Sequence, residues 1–228
     1  MNHVADVSLR SWVRVAGAAY VIVILLGVFS VSYIDVSIVM PGKPAETVAN
    51  MMANEWRYRI SIASEVLMYA LVVILATALY IVLRTVNSRL ALLALLFRLG
   101  EAITGGVTAL LGGLIPLLLV RHAPAPDVEQ VQSLAGLILD VRSAGLDVVL
   151  VFVGVGGTLF CYLFFRSGYV PRILAAWGVF TYLSMLLIAF ADVLVPDLPE
   201  SIKMILYVPG GLFELILGFW LLFKGVQR

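Results

Sequence analysis

Polar positions in this chain are gathered into short intervals between long apolar runs. Six such runs can be drawn, at about Trp12–Tyr33, Tyr58–Leu83, Leu90–Leu119, Ala144–Phe165, Val170–Val193 and Met204–Phe223. At about 1.5 Å of rise per residue, each is long enough as a helix to cross a hydrocarbon core of roughly 30 Å. Two of the connections have a different pattern. Residues 44–55 place Val48, Met51 and Met52 at helical spacing. Residues 126–141 place Val128, Val131, Leu134, Ile138 and Val141 on one stripe, opposite Asp127, Glu129 and Gln130. Pro44 and Pro126 open these segments, where a missing N–H costs a helix nothing. Both predict amphipathic helices at the outer interface, serving as anchors or as a lid over a polar cavity. The expected fold is all-α: a polytopic membrane protein, a six-transmembrane-helix bundle with two outer amphipathic helices, forming one domain over residues 1–228.

The third run, LALLALLFRLGEAITGGVTALLGGLIPLLL, carries two charges, Arg98 and Glu101. On an insertion scale a charge at a span centre costs about 2.5 to 3.5 kcal/mol, so both need partners inside the protein. Ala94, Arg98, Glu101, Gly105, Thr108 and Gly112 recur at steps of three and four and share one helix face. Gly105, Ala109 and Gly113 add a track of small residues beside it, suited to close helix approach. The face is expected to point into the bundle. Other spans offer partners: Glu65 on a face with Ser61, Met68 and Val72, and Glu214 between Gly210 and Gly218. Asp147 lies below Asp140 and Ser143, near Arg142. Pro209-Gly210-Gly211 is expected to kink the last span.

Counted from the span ends, these groups outline an outward-opening polar cavity with Arg98 at its floor. Glu214 is the first choice for a second partner of Arg98, and Glu65 the next. Acids outnumber bases there, as in a proton carrier and also as in a structural ion-pair network that fixes helix register.

Composition agrees with the run pattern. Of 228 residues, 62% are hydrophobic and 13% charged, against about 25% charged in a soluble domain. The net charge of +1 contains no basic block, which argues against a nucleic-acid partner. With an intracellular N-terminus, Arg10, Arg14, Arg84, Arg89, Arg166, Arg172, Lys224 and Arg228 fall inside with one acid, Asp6. Lys43, Arg57, Arg59, Arg121 and Lys203 fall outside with most of the acids. The bias predicts both termini in the cytoplasm, in a cell inner membrane. Arg10 and Arg14 precede Val15–Val31 as they would in a signal peptide, but the run is long and ends in bulky Val31 and Tyr33, so a retained span is expected. Similar basic hairpins at 84–90 and 166–173 follow from the charge rule and imply no repeat. The single Cys161 excludes an internal disulfide.

Most enzyme chemistry lacks its residues. His3 and His122 are the only histidines, which argues against paired haem ligands and a histidine-based zinc site. HExxH and GxSxG are absent. A carboxylate-only metal site from Glu65, Glu101, Asp147 and Glu214 stays open, although no metal or cofactor is expected. Gly154, Gly156 and Gly157 lie within an apolar span and read as helix packing. The leading expectation is a protein that binds or transports a small solute, ion or lipid head group through Arg98, Glu101, Glu65, Glu214, Asp147, Arg142 and Asp140. The alternatives are a carboxylate-based intramembrane enzyme and a scaffold or accessory subunit. The lipid bilayer is the expected partner.

The order of short motifs also resembles a bacterial domain-of-unknown-function family of small six-span membrane proteins. The pieces are Arg14-Val15-Ala16-Gly17 with Tyr20, Pro41-Gly42, and Asn87 through Phe97-Arg98. Leu139-Asp140 through Gly145, Asp147 and Phe152 to Gly154 follow, then Phe165-Arg166-Ser167-Gly168 with Pro171-Arg172, and Glu214. The resemblance covers nearly the whole chain and implies fold and topology, with no established activity. The family pattern often has a histidine where this chain has Arg142, a departure that bears on any shared chemistry.

Overall fold

The structure is a computed structural model that describes residues 2–30, 36–40, 42–122, 128–195 and 200–226, with side chains omitted at 2–8, 36, 128–129 and 200–207. Val31 to Tyr33, Pro126, Asp127 and Arg228 lie outside the described residues, as do the side chains of Asp6, Val128, Glu129 and Lys203. The chain forms α1 (Asn2–Phe29), α2 (Val36–Ile38), α3 (Pro44–Ala53), α4 (Glu55–Leu83), α5 (Ser88–Ala109), α6 (Ile115–His122), α7 (Val128–Ser167), α8 (Arg172–Leu194) and α9 (Glu200–Phe219). Among the described residues there is no strand. Five helical stretches are long and apolar enough to cross a membrane: Leu9–Phe29, Glu55–Leu83, Ser88–His122, Gln130–Ser167 and Arg172–Leu194. The sixth expected span falls on α9 and the turn that continues it, where side chains are described only from Val208 onward.

Solvent exposure is inverted relative to a soluble protein. Ile103, Leu187 and Ile173 are 68%, 69% and 85% exposed, while alanines such as Ala76, Ala78, Ala91 and Ala94 are buried. A soluble monomer does not leave continuous apolar faces in water. The apolar faces here suit hydrocarbon, and the small residues let helices approach. This is an all-α membrane protein.

The ends of the helices follow local chemistry. The Asn87 side chain accepts the Leu90 N–H at 3.0 Å, capping the start of α5. Gly168 ends α7 at a φ of 66°, a left-handed turn that glycine adopts without strain, and Pro171 immediately precedes α8. Pro44 opens α3 as expected, with Val48 and Met51 buried; Met52, expected on the same stripe, is 44% exposed.

Two expected boundaries shift. Segment 128–141 is helical but does not stop before the fourth span; α7 runs 40 residues without a break. The join holds no proline and a single glycine, Gly145, and one internal glycine costs about 1 kcal/mol, too little to end a helix. In the third span, Leu110–Leu114 is a π-helical turn between α5 and α6, closed by the Ile115 N–H on the Leu110 carbonyl. Pro116 follows directly. Proline lacks the N–H and crowds the carbonyl four residues back, which is Gly112, and the wider turn relieves that crowding. The hydroxyl of Tyr58 donates to the Gly112 carbonyl at 3.4 Å.

The chain divides into two compact units, one of 1–24, 70–102 and 147–228, the other of 25–69 and 103–146. In the first, Leu75, Leu79 and Leu83 of α4 pack with Phe160 and Phe164 of α7, Tyr182 of α8 and Phe213 of α9. Gly178 faces Phe213 and Cys161, whose sulfur would sit 2.5 Å from an added Cβ, so α8 accepts no side chain there. In the second, Met51, Tyr58, Ile62 and Leu117 bury around Ile38. Glu55 there accepts from Arg59 at 2.8 Å and Arg121 at 3.0 Å, so two of the basic residues expected on the outer side are charge-paired.

Candidate functional site

The polar face of the third span points inward as its spacing predicts. Ala94, Arg98, Glu101, Gly105, Thr108 and Gly112 are all buried. The exposed positions of the same stretch, Leu96, Ile103, Val107, Leu110 and Leu111, are all apolar and lie off that face.

In the first unit the charges gather around Arg98. Its Nη1 lies 2.8 Å from Glu101 Oε2, one turn on, and both side chains are nearly inaccessible at 4% and 7% exposure. The stem of Arg98 crosses Gly156 of α7: a Cβ there would lie 3.0 Å from Cγ and 3.1 Å from Cδ. The glycine expected to serve helix packing thus makes room for the arginine. Glu214 of α9 accepts the Tyr182 hydroxyl at 2.6 Å, and that oxygen lies 3.4 Å from the Tyr20 hydroxyl of α1. Arg98 also acts electrostatically on Tyr182, Tyr20 and Glu214. Four helices therefore contribute polar groups to the set, and the Gly156 cleft of a fifth admits the arginine stem.

Glu214, the expected second ion-pair partner of Arg98, takes the tyrosine instead and interacts with the arginine only at longer range. Tyr182 and Tyr20 were not chosen from the sequence as site residues. The available clue was that a tyrosine buried in an apolar helix needs a partner for its hydroxyl.

The second unit also holds charged groups. Arg142 of α7 forms an ion pair with Glu65 of α4, and both side chains are largely buried. Ser30 donates to Glu65 at 3.2 Å and shares a 2.7 Å hydrogen bond with Ser61. Glu65, the alternative partner expected for Arg98, pairs with Arg142. The arginine stem lies flat on Gly112, within the π-helical turn, where any Cβ would collide with it. One glycine face again accepts one arginine. Within the first unit the described set is Arg98, Glu101, Tyr182, Tyr20 and Glu214, and within the second it is Arg142, Glu65, Ser30 and Ser61.

Asp140 and Asp147 are placed differently. Asp140 is exposed and lines a groove of about 540 Å³ in the second unit, with Lys43, Thr47, Ser133 and Ser143 on its wall. Asp147 is half-buried in the first unit. Among the described residues, no group of three or more His, Cys, Asp or Glu side chains is placed to hold a metal ion.

Among curated proteins and among solved structures, nothing matches this chain. Its run of apolar helices and the inward polar face of the third span lie within a stretch that does match a known family. Residues 15–225 match the domain of unknown function DUF4386, and the chain belongs to that family.

Proposed function

We propose that this membrane protein binds or transports a small solute, ion or lipid head group, and that Arg98, Glu101 and Glu214 are its working charge set. The observation that supports this is one buried arginine with one carboxyl group paired to it directly and a second, held by Tyr182, within its electrostatic reach. One cation for two carboxyl groups balances when one carboxyl carries a proton. A group that takes up and releases that proton couples it to the binding of a charged solute. Buried ionisable groups in a membrane helix mark such sites more often than chance placement does. In this reading Arg98 holds an anionic group, while Glu101 and Glu214 carry protons. Glu65 and Arg142 form a second charge site, and Asp140 and Asp147 attract solute.

We place the protein in the cell inner membrane with both termini cytoplasmic. The basic residues at Arg10, Arg14, Arg84, Arg89, Arg166 and Arg172 support that orientation.

One observation favours a scaffold reading. Glu101 and Glu214 each already have a local partner, so the set needs no ligand to be satisfied. The two readings separate in liposomes containing a pH-reporting dye, challenged with a panel of small organic anions and cations. Transport predicts that at least one compound drives an internal pH change, lost in Glu214→Gln. No response to any compound, in pH or in thermal stability, would leave the charges as a packing device.

A further inference from the structure

A second charged feature lies at the end of the first unit, away from the buried set. Stepping back along α1 from Gly17 by three and seven residues gives Arg14 and Arg10, so all three share one face. Gly17 meets the end of the chain at backbone distance: an added Cβ would lie 2.7 Å from the Gly218 carbonyl oxygen and 2.5 Å from the Leu222 nitrogen. The helix then widens into a π-helical turn, Trp220–Lys224, closed by the Gly225 N–H on the Trp220 carbonyl at 3.0 Å. Gly225 has a φ of 74°, which ends the helix at that point. The close approach and the abrupt end leave a cleft of about 280 Å³. Arg10, Arg14 and Lys224 line it, and all three are exposed.

None of these three cations forms an ion pair with a described acid. The nearby sequence supplies one acid, Asp6, against the three. Lys224 in a last helical turn has an ordinary explanation, since a cation there complements the carbonyl end of the helix dipole. Arg10 and Arg14 sit at no such end. Like charges around one small cleft repel, and an anion among them removes that cost. The rest of the wall is apolar, including Leu9, Val13 and Phe223. Phe223 is 75% exposed and stacked on Phe219 at 6.1 Å. A small hydrophilic anion has no use for that wall, whereas an amphiphile uses both halves.

We propose that this cleft is a binding site for a phosphate group, and specifically for the head group of an anionic phospholipid whose acyl chain lies along Val13 and Phe223. The site needs no function of the Arg98 set and stands or falls separately from it. Basic clefts between helix ends at the membrane surface are suited to such head groups.

The test is native mass spectrometry of the purified full chain titrated with phosphatidylglycerol or phosphatidylcholine, beside a variant carrying Arg10→Gln, Arg14→Gln and Lys224→Gln. A second variant, Arg84→Gln with Arg166→Gln and Arg172→Gln, removes as many basic residues elsewhere. The expected result is retention of phosphatidylglycerol over phosphatidylcholine by about tenfold or more, lost in the first variant and kept in the second. Inorganic phosphate added at millimolar concentration distinguishes the sources. Failure to displace the lipid assigns the head group, and displacement at that concentration assigns free phosphate and overturns the lipid assignment. Equal retention of the two lipids by wild type, or equal loss in both variants, would overturn the site. Thermal melts of both variants confirm that each is folded.

Discussion

Replacing Arg98 by leucine tests the central geometry most directly. Leucine keeps part of the stem volume that crosses Gly156, so the main loss is charge rather than packing. Glu101 would then keep its carboxyl at about 5% exposure with the 2.8 Å ion pair to Arg98 gone. Removing one member of a buried pair costs about 3 to 5 kcal/mol, because the remaining charge is left uncompensated. In a chain of this size 1 kcal/mol corresponds to about 2 to 4 °C, so Arg98→Leu should lower the melting temperature by about 6 to 20 °C. Glu101→Leu should cost less, because Arg98 still has Glu214 within electrostatic reach. The double variant Arg98→Leu with Glu101→Leu removes both charges and fills the space with apolar groups. A buried pair replaced in this way often yields a protein as stable as before or more stable, by about 1 to 4 kcal/mol. The assay is thermal unfolding of the four proteins in one detergent, read by intrinsic fluorescence. If the two single losses add to within about 0.5 kcal/mol in the double variant, the residues do not interact and the reasoning fails.

The other predictions are narrower. Gly157→Ala should destabilise by about 1 to 3 kcal/mol, because its methyl group would overlap the Tyr182 ring; an unchanged melting temperature would mean that α7 and α8 do not approach there. Tyr182→Phe should cost about 1.5 to 3 kcal/mol by taking the hydroxyl from Glu214, with Tyr20→Phe costing less because its contact is a longer 3.4 Å. In the second unit Gly112→Ala should mimic the loss of Arg142 in a thermal melt, since the arginine stem occupies the place of that methyl group, and Ser61→Ala should be milder. For topology, cysteines placed at Asn2 and at Gln227 should both resist an impermeant thiol reagent in intact cells; labelling of either one from outside would refute the proposed orientation.

The apolar runs and the steps of three and four determined, from sequence alone, that this is an all-α membrane protein and that Arg98 and Glu101 face inward. The reason is local. A charge in hydrocarbon costs more than any helix rotation can recover, so the face carrying it has one place to go. Helix ends were legible where Asn87, Gly168 and Pro171 impose them. The join of segment 128–141 to the fourth span was not, because no residue there is strong enough to stop a helix. The π-helical turn before Pro116 needed the tertiary structure as well, since proline demands relief and does not say which. Partner choice was decided only by packing. Sequence depth and flanking glycines ranked Glu214 ahead of Glu65 as the partner of Arg98, but depth along a helix says nothing about its rotation against a neighbour. In the folded chain Gly156 opens a slot for Arg98 and Gly112 opens one for Arg142. Those two backbone clearances on separate helices determine where each arginine lies and hence which carboxylate it meets.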